Sequence, residues 1–473
     1  MTKRTKNLYV NASLWYIVAN VLGQGIVFLS NIVFTRIMSK TDYGMYSTYY
    51  SIVAMLTPFV GANLFVGLCN GYYDFKDDRL NFRGSVFFLS ILVFICFSSV
   101  FLLTQRFVLP LFNIQIPALI GIFTLIHAYS FFVLNYYNNF ANMENRYKIK
   151  SVLMFLQNFL QVVISILLIL IISKNSYIER VVGSASAVLG CAMVLGIIML
   201  LRCKKIFNKK YYSYALKLSV PSVFSSIAYM IMQQSDHLMI TSFVGADYTA
   251  VYSLLFIVGN AMYAFLQAAG GAYQSWIYKA LDENNVENVK IIQKWYLYFF
   301  MLIAIGLLMV SPEVIKLLFP SSYWDFRYIP PFVASSSLVV IVNMYTNVAE
   351  FNKKQRIVSL CVLFAATINV VLNIIFIHLY GAVAAAYTSL TAYAFLVLFI
   401  KFVVRKLNKQ LYSDKLFILY FVAILFACGI FIFLGDIILL RYIVFSIVLI
   451  GLLIYCVIKK CSAQSELGLF YKS

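Results

Sequence analysis

Four stretches of this chain, Gly84 to Gln105, Ser151 to Ser173, Val181 to Leu201 and Leu416 to Gly435, run for at least twenty residues without a charged side chain. At the rise of an α-helix, about 20 apolar residues cross the roughly 30 Å hydrocarbon layer of a bilayer. Ten further apolar segments bring the total to fourteen spans. They lie near 9–36, 44–71, 84–105, 115–142, 150–173, 179–201, 214–242, 248–275, 294–311, 328–350, 356–378, 380–404, 415–435 and 441–458. Composition agrees, because a 473-residue chain that is 63% hydrophobic and 11% charged cannot hide its apolar surface in a water-soluble core. The expected fold is an all-α polytopic membrane protein of about 14 transmembrane helices.

The formal charge of +20 would suggest a polyanion-binding role in a soluble protein. Here the cations sit in short gaps between apolar runs, so they set topology, and no nucleic acid is expected as a partner. With the N-terminus in the cytoplasm, 29 of the 37 Lys and Arg fall on the cytoplasmic side and 8 on the other, Arg36, Arg180 and Arg441 among them. This is the asymmetry of the positive-inside rule, and one missed span would scramble it. Both termini are therefore expected in the cytoplasm. Lys3, Arg4 and Lys6 precede an apolar run too long for a secretory signal, with no small-residue cleavage site, and it is read as the first span. The eight cysteines show no metal-ligand spacing and fall within spans or on the cytoplasmic side; neither disulfides nor a zinc site is expected.

Beyond the basic loop at 202–214 the opening pattern recurs: Gly44-Met45-Tyr46-Ser47 aligns with Ala250-Val251-Tyr252-Ser253. Two six-span halves related in this way enter the membrane in the same direction. Parallel repeats of this kind are a transporter architecture, with the substrate site between the halves. The expected organisation is an N-terminal lobe over 1–207, a C-terminal lobe over 208–409, and an appended helix pair with a cytoplasmic tail over 410–473.

At about 100° per residue, Ser13, Asn20, Gln24, Asn31 and Thr35 share one face of span 1. On span 7 the same holds for Ser222, Ser225, Ser226, Tyr229, Gln233 and Asp236. Paired polar stripes on equivalent helices suggest two walls of one wet cavity; the competing reading is interhelical hydrogen bonding. Asp236 is the one carboxylate placed well inside a span, and Arg36 lies near the outer end of span 1. Buried charges in a bilayer usually face water, a partner or a substrate, and a structural ion pair or snorkelling competes. Asp236 and His127 are the candidates for coupling transport to an H+ or Na+ gradient. No cofactor, metal site or catalytic constellation is expected: there is no phosphate-cradling glycine loop and no nucleophile elbow.

Several motifs in order carry a resemblance. They are Asn11-Ala12-Ser13-Leu14-Trp15, Arg36-Ile37-Met38, Asp42-Tyr43-Gly44-Met45-Tyr46, Ser219-Val220-Pro221 and Gln234-Ser235-Asp236-His237. Later come Ser311-Pro312-Glu313, Asn347-Val348-Ala349-Glu350, Asn369 with Asn373, and Tyr380-Gly381-Ala382. Together they resemble the Wzx-type O-antigen and repeat-unit flippases of the multidrug/oligosaccharidyl-lipid/polysaccharide exporter superfamily. His378 departs from the pattern, where such proteins often have a proline. The resemblance implies two six-helix lobes in a MATE-like V plus two C-terminal helices. It also implies an undecaprenyl-diphosphate-linked oligosaccharide moved from the inner to the outer leaflet of the cytoplasmic membrane by alternating access. A polysaccharide polymerase and chain-length machinery would be partners. A cation-coupled multidrug antiporter of the same superfamily is the nearest alternative, and a membrane polymerase or ligase the second.

Overall fold

A computed structural model describes residues 23, 25–108, 118–144, 146–172, 174–407, 411–434, 437–447 and 450–451. The elements are α1 Gly25–Ile37, α2 Lys40–Val60, α3 Phe65–Asp74, α4 Arg79–Val108, α5 Ala118–Met143, α6 Tyr147–Ile172, α7 Ser176–Leu201 and α8 Lys209–Phe243. They continue with α9 Ala246–Gly259, α10 Met262–Asp282, α11 Val286–Leu318, α12 Ile329–Phe351, α13 Gln355–Tyr380, α14 Val383–Leu407, α15 Asp414–Leu434 and α16 Ile438–Ile447. Among the described residues there is no strand. Among these residues twelve helical segments are long and apolar enough to cross a membrane, and the shorter α1 and α16 stand where the first and last spans are expected. The chain is thus an all-helical, multi-pass membrane protein. Residues 9–22 and 24 of the first expected span, and 448–449 and 452–458 of the last, lie outside the described residues.

Short polar caps set the turns. Ser39 Oγ accepts the Asp42 N–H at 3.0 Å, and Asn208 accepts from Lys210 and Tyr211 at 3.0 and 3.3 Å. Between α13 and α14, which meet with almost no loop, Gly381 adopts φ +73°, a conformation that a side chain would disfavour.

Two expected spans are not continuous helices. The second breaks between α2 and α3, where Ala62 and Asn63 take φ of 44° and 49° and Gly61 lies under the Phe132 ring. The eighth breaks at Asn260 and Ala261, between α9 and α10. Interrupted helices at membrane depth are tolerated where protein neighbours satisfy the freed backbone.

The chain forms two compact units. The first comprises Met1–Leu254, Leu318–Trp324 and Gln355–Ala392. Its core is rich in rings, including Tyr46, Tyr49, Phe82, Phe132, Tyr136 and Phe140. Helices α5 and α6 pack on α7, where a Cβ on Gly183 would stand 2.6 Å from Ser165 Cα; only glycine permits that approach.

The second unit comprises Leu255–Leu317, Asp325–Lys354 and Tyr393–Ser473. Here α12 is central, packed by α10 and α15. Tyr412 bonds the Tyr273 hydroxyl at 2.7 Å, and Gln293 bonds both backbone groups of Ser413 at 2.8 and 3.0 Å. Arg441 of α16, expected in a loop or at a span end, is 1% exposed and pairs with Glu313 of α11 while donating to Met309 O at 3.1 Å. Removing one partner of a fully buried pair costs roughly 3–5 kcal/mol. Because the Glu313 side chain keeps 30% exposure, Arg441→Met is expected to cost less, on the order of 2 kcal/mol. A lowered Tm of the purified protein in detergent would show it, and an unchanged Tm would mean the pair contributes nothing.

Candidate functional site

Helix α2 lies along α8 in the first unit, and polar contacts recur along the seam that α2, the break after it and α3 make with α8. Thr48 and Thr241 share a 2.5 Å hydroxyl contact, and Thr241 reaches Thr249 of α9 at 2.7 Å. Ser51 donates to Gln234 Oε1 at 2.9 Å. At the break after α2, Asn63 Nδ2 donates to Ser226 Oγ at 2.7 Å and to Ser222 O at 3.2 Å, and the Gly67 N–H donates to Ser219 Oγ at 3.0 Å. At the end of α3 and just beyond it, Tyr214 and Tyr211 of α8 donate to Asp74 and Asp78. Small residues let the backbones meet. A Cβ on Gly44 would lie 1.8 Å from Ala246 O, and one on Gly67 would lie 2.8 Å from Ala215 Cα.

Interhelical hydrogen bonds in membranes contribute about 0.6 kcal/mol each on average. A seam built this way is held by several individually weak bonds and is lined by hydroxyls and amides. At the end where α1 turns into α2, Thr41 Oγ1 donates to Asp247 Oδ1 at 2.6 Å across a separation of 206 residues. Gly44 approaches Ala250 at that same separation.

Behind the seam, Asp236 of α8 is 2% exposed and fully bonded. Its Oδ2 accepts from Tyr252 at 2.5 Å and from Ser389 at 2.6 Å, and its Oδ1 accepts from Asn373 Nδ2 at 2.6 Å. A second layer braces these groups. Thr388 donates to Asn373 Oδ1, Asn369 Nδ2 donates to Ser389 Oγ at 3.1 Å, and Ser235 donates to Asn369 Oδ1 at 3.2 Å. None of the ion pairs among the described residues involves Asp236. A buried carboxylate without a cation is costly in a bilayer. The oxygens of Asp236, Asn369, Asn373 and Thr388 are hard donors of the kind that suit a proton or a small hard cation. Among the described residues, no three His, Cys, Asp or Glu gather as a metal-binding group.

The residues singled out from sequence are distributed over this site unevenly. Asn20 and Gln24 lie outside the described residues. Asn31 is buried, giving its Nδ2 to Val27 O and taking the Tyr43 hydroxyl on its Oδ1 at 2.9 Å. Arg36 is exposed and reaches Leu318 O at 3.2 Å. On α8, the Ser222 carbonyl belongs to the seam, Tyr229 is 40% exposed with Gln233 3.4 Å from its hydroxyl, and Asp236 forms the buried cluster. His127 sits apart, stacked on Phe131 at 4.7 Å with Nδ1 3.0 Å from the Tyr49 hydroxyl. Sequence reading missed Tyr252 and Ser389 as partners of Asp236, and Thr388 as the brace of Asn373. It also missed Asn63, whose clue was the Pro58, Gly61 and Asn63 run inside an apolar span.

Residues 10–273 match the model of a family described as polysaccharide biosynthesis protein. No curated protein matches the chain. Among solved structures, the chain is similar to the lipid II flippase MurJ in an inward closed conformation. The TM-score is 0.73 at 16% identity, covering 97% of this chain and 100% of that one. It is also similar to an inward-facing multidrug resistance MATE family transporter of the MOP superfamily, at TM-score 0.62 and 15% identity, with 83% and 96% covered. For a mutant of the Vibrio cholerae MATE transporter VcmN the values are 0.55, 15%, 88% and 100%. At these identities the likeness is one of fold. The family match covers more than half of the sequence, and the chain belongs to the polysaccharide biosynthesis protein family.

Proposed function

We propose that this protein is a flippase, not an enzyme, that moves undecaprenyl-diphosphate-linked oligosaccharide repeat units from the inner to the outer leaflet of the cytoplasmic membrane. It does so by alternating access, with both termini in the cytoplasm and the α1/α2 end facing outward. The observation that carries this reading is the α2–α8 seam in a chain of a polysaccharide biosynthesis family. Sugars and a diphosphate cannot enter hydrocarbon, because each unsatisfied polar group costs several kcal/mol there, on the order of 2–7 for one hydroxyl. A seam of hydroxyls and amides that opens offers such groups a polar wall while the lipid tail stays in the bilayer. Ser222, Tyr229 and Gln233 on α8, with Asn31 on α1, are the residues we assign to that wall. Arg36, exposed at the α1/α2 end, is the cation we assign to the diphosphate. Asp236 is the coupling candidate for H+ or Na+, ahead of His127, because its cluster gathers several oxygens around one carboxylate.

Cells lacking the chain are expected to accumulate unpolymerised lipid-linked units on the inner leaflet, as resolved by an impermeant glycan label before and after permeabilisation. Accumulation on the outer leaflet would point to a polymerase or ligase. Normal leaflet distribution, with loss of drug efflux instead, would point to an antiporter.

A further inference from the structure

We propose that Arg180 is a positioning residue of the gate, a built-in cation that holds the start of α2 in the shape that closes the α1/α2 end. The inference rests on the alternating-access reading above and goes beyond it, since nothing about substrate or coupling assigns this residue. Arg180 opens α7 and is 6% exposed. Its guanidinium carbon lies 3.8 Å from the ring centres of both Phe34 and Tyr46 and 5.0 Å from that of Tyr43, and Nη1 is 3.6 Å from Met38 Sδ. The neighbouring carboxylate does not reach it. Glu179 Oε1 instead accepts the Lys174 and Asn175 N–H groups at 2.9 and 3.1 Å, and no ion pair among the described residues includes Arg180.

A buried cation held mainly by ring faces is bound where those faces are fixed in place. The rings it gathers are the ones that shape the gate. Phe34 is on α1, and Tyr43 and Tyr46 flank Gly44, whose backbone meets Ala246. Tyr43 also bonds Asn31 and stands edge-on to Tyr323 at 6.0 Å. In the aligned segment, the counterpart of Tyr46 is Tyr252, which is held by Asp236. One half therefore anchors this tyrosine on a carboxylate that an ion or proton can neutralise. The other half anchors it on a charge that cannot leave, so the α1/α2 corner moves as one body.

The test uses the full-length chain in membranes with its eight native cysteines replaced. Thr48→Cys with Thr241→Cys reports closure at the α1/α2 end, and Asn63→Cys with Ser226→Cys reports the α3 end. In Arg180→Ala, oxidative cross-linking of the first pair is expected to fall about tenfold, the loss of a desolvated cation–π anchor. The second pair should cross-link as before or faster, and added guanidinium ion should restore the first. Unchanged cross-linking of the first pair would overturn the proposal. So would a parallel loss at both ends, or a loss that guanidinium does not reverse, since either marks a purely structural residue. If Arg180→Ala cannot be isolated, Arg180→Met keeps a stem in the ring box and is judged on the two pairs alone. The readout needs no substrate, so failure of the glycan assignment would leave it intact.

Discussion

Asp236→Asn is expected to cut transport by roughly tenfold or more in proteoliposomes loaded with a defined lipid-linked glycan, with little change in Tm. The substitution keeps the shape of the carboxylate and removes its charge. Asn can still accept from Asn373 through one oxygen, and its amide can donate to the Tyr252 and Ser389 hydroxyls, which turn from donors into acceptors. Replacing a buried, uncompensated charge by a bonded neutral group is neutral or favourable for folding. A group that binds and releases a proton or Na+ during the cycle, however, loses its function with the charge. The two measurements therefore separate. Low flux with an unchanged Tm supports a coupling role; a falling Tm with proportionate loss of flux makes the cluster structural; and unchanged flux removes Asp236 from the mechanism. Dependence on an imposed ion gradient should disappear in the variant together with the flux.

Why the carboxylate was legible in the sequence and its partners were not is a matter of distance along the chain. One acidic residue in the middle of an apolar span stands out by cost alone. Tyr252, Asn373 and Ser389 lie 16, 137 and 153 residues away, and nothing local marks a tyrosine or serine as aimed at it. The helices themselves were legible because hydropathy and helix length are set by the bilayer, and the fourteen positions agree with the twelve long and two short apolar helices among the described residues. The breaks at Ala62 and Asn260 were not, since hydropathy continues through tight turns whose backbone groups bond within the same segment, as Ala62 N–H does to Phe59 O and Ala261 N–H to Val258 O. The surroundings of Arg180 and Arg441 were not legible for a related reason: sequence places a cation at a span end, and only packing shows that rings enclose one and a glutamate binds the other. The two segments aligned in the sequence, Gly44-Met45-Tyr46-Ser47 and Ala250-Val251-Tyr252-Ser253, lie against each other, a contact that no local feature of either one announces.

That meeting makes Gly44 the position where the smallest change has the largest effect. Its missing Cβ would stand 1.8 Å from Ala246 O and 2.6 Å from Ala246 C, both backbone atoms of a helix that cannot turn aside as a side chain would. Gly44→Ala must therefore hold α2 away from α9, and with it go the Thr41–Asp247 and Thr48–Thr241 contacts. Overpacking by one methyl group costs roughly 1–3 kcal/mol. That is a shift of about 5- to 150-fold against the state with the α1/α2 end shut. If every cycle passes through that state, flux falls by a similar factor, and a cysteine at Thr48 becomes reactive to an impermeant thiol reagent. Gly270→Ala is the control, because its Cβ would meet nothing within 4 Å and alanine favours a helix. Wild-type flux from Gly44→Ala would mean that this end does not need to close, and the gate would have to be sought elsewhere. Gly44→Val should be more severe than Gly44→Ala in flux and in thiol reactivity alike, since steric opening, unlike loss of a ligand, grows with the volume inserted.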